Sequence, residues 1–135
     1  MKNLLKKCFV EILGTYFFVL VIGCSLYPNG NGGFPPLAIG FALMLLVYMG
    51  GAVSGGHYNP AVSLSACIRG ALSWRNFVPY IISQFIGGVI GALTVSYIVA
   101  IPPYSNETAF SIWPMAICEF LFTFLLCYVV LQVTT

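Results

Sequence analysis

Charge is what this sequence of 135 residues has least of. Asp, Glu, Lys and Arg together make up 6% of it, against about a quarter in soluble domains, and that shortage excludes an ordinary solvated surface. Metal-ligand patterns are missing as well. The five cysteines, Cys8, Cys24, Cys67, Cys118 and Cys127, form no close CxxC pair, which leaves neither a zinc site nor a disulfide framework; they read as small apolar packing residues. There is one histidine, His57, and neither it nor the acidic residues stand at a nucleophile-and-base spacing, so an enzyme has no machinery here. No lysine or strand accompanies the glycines as a phosphate loop would require, and no cofactor is implied.

What is abundant is apolar surface. Hydrophobic residues make up 60% of the chain and the mean hydropathy is +0.99, which reads as a membrane protein. Apolar runs cover Cys8 to Tyr27, Leu37 to Val53, Phe77 to Ile101 and Trp113 to Val133, each near the roughly 20 residues that cross a hydrocarbon core. Four spans are expected. The first resembles a signal peptide in following Lys2, Lys6 and Lys7, but it carries Glu11, is too long for a signal core and shows no small-x-small cleavage pattern, so it reads as a retained span.

The basic residues orient the chain. All five, Lys2, Lys6, Lys7, Arg69 and Arg75, lie before the first span or between the second and third, which places those regions and both termini in the cytoplasm. The loops Pro28 to Pro36 and Pro102 to Ile112 lack Lys and Arg and fall outside. This bias accounts for the net charge of +2 without a nucleic-acid partner; the partner it implies is the bilayer. Asn106-Glu107-Thr108 is a glycosylation sequon in an outside loop, a weak guide to localisation.

An internal repeat is visible. Glu11-Ile12-Leu13-Gly14-Thr15 in the first span has a counterpart in Glu119-Phe120-Leu121-Phe122-Thr123 in the fourth. Three spans in a first copy would invert the second, as in inverted-repeat transporters and channels. A glutamate inside a span costs about 2.5–3.5 kcal/mol at the helix centre. Two at equivalent positions point to a shared role, that of accepting hydrogen bonds from backbone N–H groups of something non-helical buried beside them.

The segment Ser54-Gly55-Gly56-His57-Tyr58-Asn59-Pro60-Ala61-Val62 supplies such backbone between two apolar runs. Irregular chain is tolerated at membrane depth when protein buries it or it lines a water-filled cavity. Residues 54–58 read as extended, followed by a short helix to about Ile68, too short to span. Asn59 is a favoured N-cap, Pro60 fits the first helical position, and an Asn59 oxygen engaged in capping leaves its NH₂ free to donate into a cavity. The helix start carries about half a positive charge, which opposes cations and protons but not water. Gly51-x-x-x-Gly55 and Gly87-x-x-x-Gly91 have the spacing of close helix packing.

These residues resemble the aquaporin and aquaglyceroporin family, the major intrinsic proteins. The resemblance lies in Ser54 to Val62, Glu11 to Thr15, Tyr80-Ile81-Ile82-Ser83-Gln84-Phe85-Ile86-Gly87 and Glu119-x-Leu121-x-Thr123, and spans nearly the whole chain. It implies an all-α membrane protein, a right-handed helical bundle with four transmembrane helices and one re-entrant half-helix. It further implies a passive channel for water or small uncharged solutes such as glycerol, in a tetramer at the plasma membrane. Asn59 would donate to the permeating molecule, with Pro60 and Ala61 completing the motif, and the carbonyls of Gly55, Gly56, His57 and Tyr58 would form a ladder along the pore. Phe18, Leu43 and Val62 would be apolar wall; Glu11, Gln84 and Glu119 would brace the buried loops. Ile39 takes the selectivity-filter position, where members often have an aromatic, so water and glycerol remain alternatives. His57 would be a structural hydrogen-bond partner rather than a gate.

Family members have six spans, a second Asn-Pro-Ala half-helix and a filter arginine after it, none of which occurs in these 135 residues. The expected organisation is one partial membrane domain: a first repeat over 1–101, with its re-entrant loop at 54–68, and the first helix of a second over 113–135. The chain then reads as part of a six-span channel, as a half-channel that pairs, or as an assembly or regulatory protein without transport of its own. A four-span scaffold unrelated to transport would need neither Asn59 nor the paired glutamates.

Overall fold

The computed structural model describes residues 2–26, 33–99 and 111–134, and every regular element among them is an α-helix. The elements are α1 (Lys2–Leu26), α2 (Pro35–Ser54), α3 (Pro60–Arg69), α4 (Trp74–Val99) and α5 (Ile112–Thr134). Four of them, α1, α2, α4 and α5, are long and apolar enough to cross a membrane. The sequon at Asn106 lies outside the described residues.

Local chemistry sets the ends. Helix α1 already includes Lys6 and Lys7, which the hydropathy reading places ahead of the span. Lysine is a good helix former, and its stem lies along apolar surface while the ammonium stays at the interface. Pro35 and Pro36 open α2 instead of closing the loop before it, because a first-turn N–H has no intrahelical acceptor to lose. Helix α2 stops after Ser54, where Gly55 turns left-handed at φ 97° and donates its N–H to the Gly51 carbonyl.

Helix α3 has 10 residues, a rise of about 15 Å, roughly half the hydrocarbon thickness. Asn59 stands extended before it at φ −150°, and Gly70 ends it at φ 82°. No atom outside its neighbours lies within 4 Å of a Cβ added to Gly70, so Gly70→Ala meets only the left-handed backbone penalty. The expected loss is about 1 kcal/mol, read as a small drop in thermal unfolding temperature in detergent.

Helix α1 is the hub of the bundle. It packs against α2 and α4, while α3 packs against α4 and α5; among the described residues α5 meets no helix other than α3. Small residues permit a close crossing of α1 with α4. A Cβ on Gly87 would overlap the Ile12 carbonyl oxygen, and one on Gly91 would come within 2.9 Å of the Tyr16 carbonyl oxygen. The pair at Gly51 and Gly55 behaves differently. A Cβ on Gly51 meets nothing closer than Val47 of the same helix, at 3.9 Å, whereas its neighbour Gly50 lies directly under the Tyr58 hydroxyl. The close approach at this point is therefore one residue out of register with the sequence pattern, and a side chain fills it.

Candidate functional site

Glu11 organises the segment between α2 and α3. Its side chain is fully buried, 0% exposed, in the middle of a membrane helix, where a bare carboxylate is costly. Four donors offset that cost. Oε1 accepts from the Ser54 hydroxyl at 2.7 Å and the His57 N–H at 3.1 Å, and Oε2 accepts from the Tyr58 N–H and from Gln84 Nε2, both at 2.8 Å. These bonds tie α1, α2, the connecting segment and α4 to one group.

The backbone from Gly55 to Tyr58 is sorted by this arrangement. All four N–H groups are taken: Gly55 by Gly51, Gly56 by the Ser54 hydroxyl, His57 and Tyr58 by Glu11. Their carbonyls receive no hydrogen bond from the described residues. Buried chain normally pairs both. Here one edge is closed by protein and the other presents acceptors alone.

Tyr58 locks the segment in place. It adopts φ 49°, an uncommon conformation for a residue with a side chain. Its ring fills a slot that exists because Gly14 and Gly50 carry no Cβ, and its hydroxyl donates to the Leu46 carbonyl at 2.8 Å. From the other side, the Tyr80 hydroxyl donates to the Ser54 carbonyl at 2.6 Å. Two tyrosines thus hold the segment against α2 and α4.

Asn59 follows directly. Its Oδ1 accepts the Ala61 N–H at 2.8 Å, and its NH₂ group has no partner among the described residues. Asn59 is partly exposed, as is Ala61, and Pro60 is exposed. Behind the half-helix, Ser63 Oγ receives Gln84 Nε2 at 2.8 Å and lies 3.0 Å from His57 Nδ1.

The remaining residues singled out in the sequence are less closely gathered. Phe18, Ile39 and Leu43 are partly exposed on α1 and α2. Val62 is 2% exposed; it faces inward on α3 and packs within the protein, so it offers no open wall. Glu119 shares the sequence context of Glu11 but not its burial or its partners. It is exposed, without a hydrogen bond among the described residues, and lines an open groove with Ala61, Thr123 and Phe124. The reason is that α5 packs on α3 alone, so no segment covers its carboxylate.

Sequence reasoning quotes Ser54, Gly14 and Tyr80 inside its motifs but gives them no role, and it passes over Ser63 and Gly50. A signal exists for Ser63, which lies four residues after Asn59 on the same face of the half-helix. None exists for the tyrosine contacts, which join residues far apart in the chain.

The family description Major intrinsic protein matches residues 1–135. Human Aquaporin-9 is 40% identical over 101 residues, 69% of this chain and 34% of its own length. Rat Aquaporin-8 is 46% identical over 92 residues, 65% of this chain and 35% of its own length. A Nicotiana alata protein named as a probable aquaporin of NIP type is 33% identical across 98% of this chain and 52% of its own length. The chain spans between a third and about half of these relatives. With its four apolar helices, its short capped helix and this match over its whole length, the chain belongs to the major intrinsic protein family.

Proposed function

We propose that this chain forms one wall of a pore that passes water or small uncharged solutes down their gradient and excludes ions. The family's members are channels and not enzymes, and the relatives are named as aquaporins. The observation that carries the reading is the sorted backbone: four N–H groups turned inward and four carbonyls left open, leading to the free amide of Asn59. A water molecule could donate to the carbonyls of Gly55, Gly56, His57 and Tyr58 in turn and accept from Asn59. The start of α3 adds about half a positive charge there, which opposes cations. Phe18, Leu43 and Ile39 would line the apolar side. In this reading residues 1–101 form a first repeat, 113–135 begin a second, both termini are cytoplasmic and the assembly is a tetramer in the plasma membrane.

Osmotic shrinkage of liposomes carrying the 135-residue chain, followed by light scattering, tests the proposal. Aspartate caps a helix as well as asparagine does but offers no NH₂, so Asn59→Asp keeps the half-helix and removes the donor. The expected result is shrinkage faster than in empty liposomes, falling about tenfold in Asn59→Asp, the worth of one hydrogen bond. Equal rates in both proteins, each above that of empty liposomes, would remove Asn59 from the path.

One observation favours a second reading. Glu119 stands uncovered, and α5 packs on α3 alone among the described residues, so the wall has an open side. Inserted, folded chain that leaves the rate at that of bare lipid would identify it as a pore half that conducts when a further wall closes the groove beside Ala61 and Glu119, the brace position for that wall.

A further inference from the structure

The pairing of donors with acceptors does not end at Glu11; it continues through Gln84 and Ser63 to His57. Four donors fill the Glu11 carboxylate. Gln84 must present Nε2 to it, because a reversed amide would set Oε1 against Glu11 Oε2 at 2.8 Å. This commitment accounts for Gln84 Oε1, which is buried without a partner: it is the end of the amide left over. The second hydrogen on Nε2 goes to Ser63 Oγ at 2.8 Å. Ser63 is itself fully buried, and the partner within reach of its hydroxyl proton is His57 Nδ1 at 3.0 Å.

We infer that this relay holds His57 as the Nε2–H tautomer and makes Nε2–H a fixed hydrogen-bond donor in the polar pocket that His57 shares with Lys7, Ser54, Gly55 and Leu72. A proton on Nδ1 would force Ser63 to accept twice and strand its own hydroxyl proton in the interior. Nε2 lies over Gly55, 2.9 Å from where a Cβ would stand, and takes no hydrogen bond from the described residues. Its consequence for transport rests on the pore reading: a solute oxygen, from water or a small neutral carbonyl or hydroxyl compound, meets a donor at His57 before it reaches the Asn59 amide. The lysine beside it makes the same pocket unfavourable to cations. The competing account is a histidine packed against Tyr80, ring centroids 5.3 Å apart, with no enforced tautomer.

His57 is the single histidine in the chain, so ¹⁵N-histidine labelling reports one site. Solid-state NMR of the full chain in bilayers at neutral pH is expected to show unprotonated Nδ1 and protonated Nε2, with a tautomer excess of roughly tenfold or more. Magnetisation should pass quickly from water to Nε2–H. Ser63→Ala should reduce the excess several-fold and shift Nδ1 toward an unbonded nitrogen, while Ser63→Thr, which keeps the hydroxyl, should preserve both. A dominant Nδ1–H form, an even mixture in the unaltered protein, or an Nε2–H out of contact with water would overturn the inference. The unaltered protein's spectrum decides this even if Ser63→Ala fails to fold. Because the spectrum is independent of transport, its failure is distinguishable from failure of the pore reading, which the Asn59→Asp comparison decides.

Discussion

Replacement of Glu11 by alanine is expected to detach residues 54–58 from the bundle and to lower stability by about 5 kcal/mol, several buried donors losing their acceptor at roughly 1–3 kcal/mol each. The Ser54 hydroxyl, two backbone N–H groups and the Gln84 amide all point at this carboxylate. Nothing else among the described residues can receive them together. The isosteric Glu11→Gln should be almost as damaging. Each carboxylate oxygen takes a backbone N–H, from His57 or Tyr58, so whichever oxygen is replaced by NH₂ faces a donor that cannot turn to accept. Hydrogen exchange at the His57 and Tyr58 amides measures the effect. Acceleration on the order of a thousandfold is expected in both variants; protection equal to that of the unaltered protein would show that Glu11 does not hold the segment.

A methyl group on Gly87 should have the second largest effect. Its Cβ would overlap the Ile12 carbonyl oxygen and lie 3.1 Å from the Tyr16 nitrogen. Both are helix backbone, so no side-chain rotation relieves the clash. Overpacking of this kind costs about 3 kcal/mol, at the upper end of its usual range. The damage should also reach the site, since Gln84 sits one turn away on α4 and its amide moves with the helix. Gly40→Ala is the matched control, because nothing lies within 4 Å of its Cβ and alanine favours the helix by about 1 kcal/mol. Thermal unfolding in detergent should separate the two in opposite directions, and similar melting temperatures would contradict the close crossing of α1 and α4.

The difference between these variants reflects what a sequence can display. Helix number, the short α3 and its cap are legible because hydropathy and capping are local: Asn59 and Pro60 are adjacent, and Asn59 Oδ1 reaches only to Ala61. Lys6, Lys7, Pro35 and Pro36 read as flanking loop because hydropathy marks the apolar part of a helix and not its ends. A role for Glu11 follows from the cost of burying it, but its partners do not. Gln84 is 73 residues away in sequence, and no periodicity links them. Tyr58 is legible as a backbone carbonyl alone; that its ring occupies the slot between Gly14 and Gly50 is a property of the assembled bundle. The likeness between Glu11 and Glu119 is plain in the sequence, yet their surroundings are opposite, because a motif does not carry the segment that covers it.

The reach of Glu11 across the chain also fixes an order of events. When α1 first enters the bilayer, the carboxylate has none of the partners that later surround it, since Ser54, His57 and Tyr58 have yet to follow and Gln84 comes last. Helix α2 brings the segment close, but the half-helix also rests on α4, through the Gln84 contact to Ser63. The last of the three spans to be made therefore completes the seat of an element made before it. Until α4 is in place, residues 55–69 lack the Gln84 contact to Ser63 and Glu11 lacks one of its four donors.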